Sequence, residues 1–443
     1  MEGQCLSIFL FIVNYGKQKS YPPKLAFLVF LVDNNIMIIR QEYLNQLRLL
    51  KDQKVIKVIT GIRRSGKSTL LELFRDDLKK QNIAKEQIQF FNFEEEKNVD
   101  LRDWRKLHQT IEEKLVQNKM NYIFLDEIQK VDHFEELVNS LFVKKNVDLY
   151  IIGSNAFLLS SELATLLTGR YISIHLLPFS FKEYTEMYPD ETNYDRLFEK
   201  YLNSSSFPEV VRLSKVNEEL ANNYLKDLYN TIVNKDIAKK YNIRNEIDFE
   251  RTIKFVFDSI GSPLSARNIA NTLKNESINV FHGTIINYLQ YLTKSYMIYP
   301  VNRYDIKGKK ILITNDKYYV VDLGLRNLLL SDPPKSDIGH RLENVVYLEL
   351  LRLNKGKIFV GKNEDSEVDF ILQMPNGKRV YYQVAYQVND RPETLKRELA
   401  PFFKIKDNYP KILLTMDLVP EEFEGIKKIN IVNWLLDKSI ENN

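Results

Sequence analysis

Cysteine and histidine are scarce in this sequence of 443 residues, which contains one cysteine, Cys5, and five histidines. A single cysteine cannot form an internal disulfide, and the two residue types together are too few to favour a cysteine-rich or histidine-rich metal site. The sequence therefore excludes the disulfide-bonded class of small secreted domains. Low cysteine usage is typical of a reducing compartment, so we predict a cytoplasmic location.

Long apolar runs are also lacking. Two short runs, IFLFIV and LAFLVFLV, lie within residues 1–36. Each is well short of the roughly 18–20 apolar residues that a membrane-spanning helix needs. The chain begins with MEGQC, which has no basic residue of the kind that opens a signal peptide. We therefore predict no membrane contact, and we interpret residues 1–36 as a poorly ordered or misassigned extension ahead of a start near Met37, rather than as a membrane anchor.

A strong net charge is absent as well. Lysine and arginine total 63, aspartate and glutamate total 59, and the formal net charge is +4. This balance does not by itself indicate a nucleic-acid partner, which local patches would have to reveal. The hydrophobic fraction of 44% is typical of a folded protein. The length predicts about two to four domains.

Apolar runs and helical patterns alternate in residues 37–185, where VIKVIT, IQFFNF, NYIFLDE and VDLYIIGS are separated by helical stretches. This alternation predicts a parallel α/β sheet with helices on both faces. Residues 186–331 show long helical patterns and then paired strands. After the linker-like DPPKSD, residues 332–443 show a helix, strands, a helix and a strand. We predict that these three segments are separate domains.

The segment GIRRSGKS fits G-x-x-x-x-G-K-[ST], follows a predicted strand and opens a predicted helix. Glycines let successive backbone N–H groups surround phosphate oxygens, and the helix N-terminus adds its positive dipole end. Lys67 can reach the β- and γ-phosphates of ATP, and the Ser68 hydroxyl can bind Mg²⁺. Thr69 is one place too late for that metal role. The predicted ATP-binding residues are Gly61, Ile62, Arg63, Arg64, Ser65, Gly66, Lys67, Ser68 and Thr69.

Two acids follow the apolar run YIFL, and we predict that they emerge at the carboxyl end of a buried strand beside the phosphate-binding loop. There Asp126 can hold Mg²⁺, and Glu127 can polarise an attacking water. A further strand, LYIIG, leads into Asn155, which can hydrogen-bond that water or the γ-phosphate. Arg170 is a candidate for contacting the γ-phosphate of the same or a neighbouring subunit.

The segments GIRRSGKST, YIFLDEIQKV and IIGSNAFLLSSELATLLTGRYISIHLLPFSFKEY resemble a group of prokaryotic AAA-type ATPases whose ATPase domain precedes a domain named DUF4143. The resemblance extends from about Met37 to the carboxyl terminus and includes FPEVVRL and DLYNTIVNKDI. It departs from the group at SSSFPE, where a glycine is expected before Phe-Pro. The resemblance implies an additional-strand P-loop sheet, with Glu127 as catalytic base and Asn155 as polar sensor.

The order of helical and strand patterns in residues 250–315 predicts a winged helix-turn-helix. It has a helix capped by Ser265, a second helix, and two strands joined by a basic loop. Its exposed side chains would suit the base edges and phosphates of double-stranded DNA, which we predict as a partner. Protein contacts remain an alternative, because the second helix has few basic residues. The residues concerned are His282, Asn287, Gln290 and Lys294 on the helix and Arg303, Lys307, Lys309 and Lys310 in the loop.

The carboxyl-terminal segment places Glu343 on a predicted helix, Asp369 in SEVDF and Gln383 in VYYQVAYQ. This pattern is similar to the PD-(D/E)XK restriction-endonuclease-like fold, in which such residues bind Mg²⁺ and activate water for phosphodiester hydrolysis. Ala385 occupies the lysine position of that pattern and cannot stabilise developing negative charge. Lys362 is another candidate for the role of the missing lysine, but the sequence does not indicate that it lies near the other three residues. We therefore predict a nuclease-like fold with little or no cleavage, retained for DNA or protein contacts.

The predicted fold class is an α/β P-loop NTPase with an additional-strand AAA-like sheet, followed by a helical and winged-helix region and a restriction-endonuclease-like α/β domain. The leading function is ATP hydrolysis coupled to DNA or a protein partner, because Asp126 and Glu127 together favour hydrolysis over binding alone. A nucleotide-gated switch with negligible turnover is the alternative. An ATP-driven nuclease is disfavoured by Ala385. Self-association would be required if Arg170 acted on a neighbouring subunit.

Overall fold

The computed structural model describes residues 37–153, 169–275, 278, 280–330, 337–389 and 391–437, without the side chains of residues 313 and 314. Its first sheet is parallel throughout, with the strand order β2-β3-β4-β1-β5. Three of these strands are buried along their whole length, as expected for a sheet covered on both faces. The five strands are β1 (Ile56–Thr60), β2 (Ile88–Asn92), β3 (Asn121–Asp126), β4 (Val147–Ile152) and β5 (Tyr171–His175).

Two pairs of helices cover the parallel sheet, because successive residues of a strand point to opposite faces. Ile59 shares a buried cluster with the first two helices, whereas Val58 shares a cluster with the next two. The helices are α1 (Gln41–Leu50) and α2 (Lys67–Lys80) on one face, and α3 (Trp104–Glu113) and α4 (Phe134–Val143) on the other. Short 3₁₀ segments occur at Lys85–Gln87, Glu96–Arg102 and Ile128–Lys130.

The position of β4 defines the type of sheet. β4 lies between β1, which leads into GIRRSGKS, and β3, which ends at Asp126. The two strands that carry the predicted ATP-site motifs are therefore separated by one additional strand. The predicted additional-strand P-loop fold is confirmed by this order.

A run of helices follows the parallel sheet, as the long helical patterns predict. Several begin at side-chain caps, such as the capping box of Ser180 and Glu183 and the Asn217 carboxamide that accepts from the Leu220 N–H. The helices are α5 (Phe181–Glu186), α6 (Tyr194–Asn203), α7 (Pro208–Ser214), α8 (Glu218–Asn230), a π-helical segment (Thr231–Ala238) and α9 (Glu246–Asp258).

The next elements occur in the order helix, short strand, helix, helix and two strands, beginning with α9. They are β6 (Pro263–Leu264), α10 (Ala266–Asn275), α11 (His282–Lys294), β7 (Ile298–Asp305) and β8 (Lys310–Val320). β6 and β7 both pair antiparallel with β8. This order agrees with the elements that the sequence suggests between residues 250 and 315, while the use of this region for DNA binding stays a prediction.

A nine-stranded mixed sheet joins this region to the carboxyl-terminal segment. Its strand order is β13-β14-β12-β11-β10-β9-β7-β8-β6, and β7 and β9 pair in parallel across the two predicted domains. The remaining elements are α12 (Leu323–Leu330), α13 (Ile338–Leu353), β9 (Lys357–Asn363), β10 (Ser366–Gln373), β11 (Arg379–Val384), α14 (Pro392–Phe403), β12 (Lys411–Thr415), β13 (Glu421–Phe423), β14 (Ile426–Asn430) and α15 (Ile431–Leu436). Across the described ranges, every helix is too short or too polar to cross a membrane.

Candidate functional site

The loop between β1 and α2 has a backbone that requires glycine at two positions. Gly61 has a φ of 146°, and a Cβ atom there would lie 2.2 Å from the carbonyl oxygen of Leu176. Gly66 has a φ of 97° and precedes the first residue of α2. Both conformations belong to the region that residues with a side chain rarely adopt. The two glycines of the predicted motif therefore determine the backbone path of the loop.

Lys67 is almost fully buried at the start of α2, with 6% of its surface exposed. Its ammonium donates hydrogen bonds to the carbonyl oxygens of Gly61 at 3.0 Å and Ile62 at 2.9 Å. Burial lowers the pKa of Lys67 to about 8, although the nearby carboxylates of Glu127 and Asp126 act in the opposite direction. No carboxylate in the described part of the chain hydrogen-bonds this ammonium, so its charge is suited to an incoming phosphate.

Asp126 is the last residue of β3 and is 1% exposed. Burial raises the pKa of its carboxyl group to about 6, and the neighbouring Ser68 hydroxyl partly opposes this shift. Among the described residues, no donor makes a hydrogen bond of regular geometry to either carboxylate oxygen. A buried carboxylate beside a hydroxyl, with acceptor capacity left over, fits Mg²⁺, which is usually held by one or two protein oxygens together with phosphates and water. The predicted metal ligands Ser68 and Asp126 therefore lie together.

Glu127 follows β3 and is half-buried, with a φ of 55° that turns its side chain away from the strand direction. The carboxamide nitrogen of Gln129 donates a hydrogen bond to its carboxylate. Glu127 also lies near enough to Lys67 to affect the pKa of that lysine. Glu127 is therefore at the same edge of the sheet as the loop, and Gln129 holds its orientation. The sequence analysis missed Gln129, for which only its place two residues after Glu127 is a signal.

The remaining loop residues differ in their surroundings. Arg64 is exposed with a φ of 64°, and Ser65 is buried. Ser68 and Thr69 are exposed in the first turn of α2. These positions leave the outer side of the loop open toward solvent.

Two residues outside the motif hold the loop from behind, and sequence reasoning missed both. Arg40 is 4% exposed and donates to the carbonyl oxygen of Ser65 at 3.2 Å and to the Glu183 carboxylate at 2.5 Å. Asp236, in the π-helical segment, accepts two hydrogen bonds from the guanidinium of Arg63, at 2.7 and 2.8 Å. The loop is therefore attached to the helical region that follows the parallel sheet.

One other predicted site residue, Arg170, is not brought to this edge of the sheet. Asn155 lies outside the described residues. Arg170 precedes β5, and its carbonyl oxygen accepts from the N–H of Ile56, at the amino end of β1. The phosphate-binding loop lies at the other end of β1. Five strand residues separate the two ends, a distance on the order of 16 Å. Arg170 is exposed and its guanidinium donates to Asn139 at 3.3 Å. Contact between Arg170 and a phosphate on the same chain is therefore excluded by its position, and a role in a neighbouring subunit stays a prediction.

A second cluster of charged side chains lines a cleft of about 550 Å³ between β8, α13, β10, β11 and α14, which we term the C-terminal cleft. It includes the predicted residues Glu343, Asp369 and Gln383. Asp369 is 6% exposed, and its Oδ2 accepts from the Val384 N–H at 2.8 Å. Burial and the nearby Glu343 carboxylate raise the pKa of Asp369 well above its ordinary value.

The C-terminal cleft also contains a lysine that the sequence analysis did not foresee. Lys317 reaches it from β8, is 4% exposed, and places its ammonium 2.6 Å from Glu367 and 3.5 Å from Glu343. These carboxylates raise the pKa of Lys317 in spite of its burial. Ala385, by contrast, lies in a buried apolar cluster. A lysine is thus present in the cleft, although it comes from a strand distant in sequence from Gln383.

The residues predicted to contact DNA lie mostly at the surface. His282, Asn287 and Gln290 are exposed on α11, whereas Lys294 is half-buried. Lys307, Lys309 and Lys310 are exposed around the β7–β8 turn, and the Lys307 ammonium lies 2.7 Å from the Glu364 carboxylate. Arg303 is half-buried and approaches Glu367 at 3.7 Å.

Clusters of three or more histidine, cysteine or acidic side chains in a metal-binding arrangement do not occur among the described residues. This finding excludes a preformed all-protein metal cage in those ranges. It does not bear on Mg²⁺ held by one carboxylate and a hydroxyl, since phosphates and water supply the other ligands of that ion.

Family models match two parts of the chain. The model described as "AAA domain" matches residues 53–185. A domain of unknown function, DUF8612, matches residues 195–336. The expectation that the domain after the ATPase domain is DUF4143 is therefore wrong, because a different family model matches that region.

Relatives match over nearly the whole chain. An uncharacterized protein of Haemophilus influenzae is 39% identical over 405 residues, which cover 90% of this chain and 99% of the relative. An uncharacterized protein of Methanocaldococcus jannaschii is 28% identical over 425 residues, which cover 92% of each chain. Neither name describes an activity.

Among solved structures, a Walker-type ATPase of Pyrococcus abyssi is similar to this chain with 14% sequence identity and a TM-score of 0.43. The match covers 68% of this chain and 99% of the other. The P-loop fold follows from the strand order of the parallel sheet.

Proposed function

We propose that this chain, which belongs to the same family as the uncharacterized Haemophilus influenzae protein and contains an AAA domain, binds ATP together with Mg²⁺ and hydrolyses it. One observation carries this proposal. Lys67 follows β1, and Asp126 and Glu127 lie at the end of β3, a strand that is not a neighbour of β1, yet the three residues lie close together at one edge of the sheet around a glycine-shaped loop. Phosphate binding, metal binding and water activation need these three side-chain types together.

Each residue of this site has a distinct task in the proposed reaction. The loop N–H groups and Lys67 bind the β- and γ-phosphates, and Ser68 and Asp126 hold Mg²⁺. When bound, Mg²⁺ neutralises phosphate charge. Glu127, held by Gln129, accepts a proton from the water that attacks the γ-phosphate. We further propose that Asn155 contacts that water, and that Arg170 stabilises the transition state only across a subunit contact.

Steady-state hydrolysis of ATP tests the proposal, with wild type, Lys67→Ala and Glu127→Gln compared in the presence of Mg²⁺. Glu127→Gln should lower turnover roughly 10²- to 10⁴-fold and leave ATP binding largely intact, because only the base is lost. Lys67→Ala should lose both. If wild type binds ATP but turns over no faster than Glu127→Gln, with or without double-stranded DNA, the protein is a nucleotide-gated switch.

We also propose that residues 186–331 engage double-stranded DNA, or failing that a protein partner. The exposed polar face of α11 and the exposed lysines of the β7–β8 turn support this part of the proposal. Alanine at Lys307, Lys309 and Lys310 should lower DNA affinity and reduce its salt dependence, since each lost phosphate contact removes about 0.9 from the slope. An unchanged salt dependence of DNA affinity would mean that these lysines do not contact DNA phosphates.

The position of Lys317 favours a second candidate function, cleavage of nucleic acid at the C-terminal cleft. The expectation of little or no cleavage depends on the missing lysine at Ala385, and β8 supplies an ammonium by another route. Asp369, Gln383 and Glu343 would hold a divalent cation, which supplies charge neutralisation at the phosphodiester. Lys317 would stabilise negative charge on the phosphate oxygens.

Nicking of supercoiled DNA with Mg²⁺ or Mn²⁺, with and without ATP, tests this second function. Wild type should nick, and Asp369→Asn and Lys317→Met should each lose the activity. Lys362→Met is the matched control, because that lysine is absent from the cleft lining. Nicking that survives Asp369→Asn comes from a contaminant, and no nicking by wild type restores the expectation of an inactive fold.

A further inference from the structure

A doubly hydrogen-bonded ion pair connects the phosphate-binding loop to a distant part of the chain. The guanidinium of Arg63 donates from Nε to Oδ2 of Asp236 at 2.7 Å and from Nη2 to Oδ1 at 2.8 Å. The two residues are 173 positions apart in sequence, and their side chains are 19% and 17% exposed. Two parallel hydrogen bonds fix the geometry of both groups and are stronger than those of a surface pair with one contact.

Asp236 belongs to the π-helical segment at the end of α8. At its end the Lys239 N–H donates to the carbonyl oxygen of Asn234, five residues earlier, and beyond it the Ile243 N–H donates to that of Ala238. Helical hydrogen bonds of this span are rare and often lie at functional sites. Ile232 and Ile237 of this segment are buried. Movement of Asp236 would therefore displace an element of the helical region.

The Asp236 carboxylate also lies close to the place where phosphates are proposed to bind. Burial is the largest influence on the pKa of Lys67, but Asp236 is near enough to raise it. A negative charge beside an anion site opposes binding of the anion. Arginine binds carboxylate and phosphate with the same forked geometry, so Arg63 can exchange one for the other.

We propose that Asp236 and the terminal phosphate of a nucleoside triphosphate compete for Arg63, so that nucleotide binding releases the π-helical segment from the loop. Asp236 is thus a positioning residue that acts through Arg63. This inference depends on the proposed ATP binding and adds a route by which occupancy of the loop reaches residues 186–331. It assigns to Arg63 a role beyond its backbone contribution to the loop.

Equilibrium binding of a fluorescent, non-hydrolysable ATP analogue with Mg²⁺ tests the competition. Asp236→Asn should tighten binding by about 3- to 10-fold, because the competing charge is gone while the side-chain shape is kept. Arg63→Gln should weaken binding about tenfold. Asp227→Asn is the matched control, since it removes an exposed acid from the end of α8 and should leave affinity unchanged. Unchanged or weaker binding by Asp236→Asn overturns the inference.

A double-mutant cycle separates a switch from a permanent attachment. The midpoints of unfolding are measured for wild type, Arg63→Gln, Asp236→Asn and the double variant, with and without the saturating analogue. The coupling between the two residues should fall by at least about half when the analogue is bound, because phosphate then occupies Arg63. Equal coupling in both conditions means a structural tether and overturns the inference.

Hydrogen exchange on the unmodified chain gives a check that needs no variant to fold. Amides of residues 231–238 should exchange faster with the analogue than without it, and equal or slower exchange counts against the release. Lys67→Ala distinguishes failure of the proposed ATP site from failure of the proposed competition. If Lys67→Ala binds the analogue as tightly as wild type, the proposed ATP site fails, whereas loss of binding by Lys67→Ala with no effect of Asp236→Asn rejects the competition alone.

Discussion

The P-loop site and the C-terminal cleft each contain a nearly buried lysine among carboxylates, but the two lysines are in opposite electrostatic situations. Lys67 contacts backbone carbonyls, and burial lowers its pKa to about 8. Lys317 lies against Glu367 and Glu343, which raise its pKa. Similar residue types therefore give different chemistry, because contact distance decides whether burial or ion pairing dominates.

This difference indicates what each site attracts. At the P-loop, no carboxylate among the described residues is hydrogen-bonded to the ammonium, so binding of an anion would offset its buried charge. In the C-terminal cleft, one ammonium faces several carboxylates, and burial together with the nearby Glu343 carboxylate raises the pKa of Asp369. Binding of a cation in the cleft would offset the charge of these carboxylates. The first site is suited to a nucleotide phosphate, and the second would need a divalent cation before it could take a phosphodiester.

The largest expected effect comes from the same substitution made at both sites. Lys67→Met should weaken ATP binding on the order of 10²- to 10³-fold, because charged hydrogen bonds to phosphate are lost, with little cost in stability. Lys317→Met should leave ATP binding unchanged but lower the free energy of unfolding by about 3–5 kcal/mol, because buried carboxylates lose their counter-charge. Nucleotide titration and urea denaturation measure the two effects. If the two substitutions had the same effects on ATP binding and on stability, the two lysines would not differ in their electrostatic situation.

An intermediate effect is expected from pH at the P-loop. The folded-state pKa of Lys67, about 8, lies below the ordinary value for lysine, so the folded protein loses this proton first as pH rises. ATP affinity should be constant just below pH 8 and fall by up to about tenfold per pH unit above it, because phosphate binds the charged form. Lys67→Arg stays charged and should show no such fall. Titrations of ATP binding between pH 7 and 9.5 measure how affinity changes with pH. A wild-type affinity that stays constant over this range would contradict the role of the Lys67 charge in binding phosphate.

The smallest effect is expected from Asp369→Asn in the C-terminal cleft. The pKa of Asp369 is raised in the folded state, so this carboxylate opposes folding at neutral pH and ceases to do so as acidification protonates it. Asparagine keeps an acceptor for the Val384 N–H. The variant should therefore be more stable than wild type by about 1 kcal/mol at pH 7, with the difference vanishing toward pH 4. Thermal melts across this range measure it, and a destabilised variant at pH 7 would mean that Asp369 is held by pairing instead.

Local patterns in the sequence predict the P-loop site well, because each of its parts is a short segment. GIRRSGKS requires glycine at two positions, and the apolar run before Asp126 places that acid at the end of a central strand. The alternation of strands and helices then brings these ends to one edge of a parallel sheet. The family resemblance supplied the additional strand, which alternation alone does not specify.

Apart from Gln129, the missed residues are those that depend on contacts between segments far apart in the chain. Asp236 meets Arg63 only because the helical region folds back onto the loop. Lys317 enters the C-terminal cleft through the pairing of β7 with both β8 and β9, whereas the sequence pattern directs attention to Ala385, two residues after Gln383. The position of Arg170 likewise depends on strand register, since β5 begins beside the amino end of β1.

The pairing of β7 with β9 has a consequence for how the chain can be divided. A fragment ending at residue 331 would leave one side of β7 without its partner, and a fragment beginning at residue 332 would expose the corresponding side of β9. Unpaired strand edges of this kind promote association between chains. The two pieces, expressed separately, should therefore be prone to aggregate, whereas mixing them during refolding should restore solubility by rejoining the sheet.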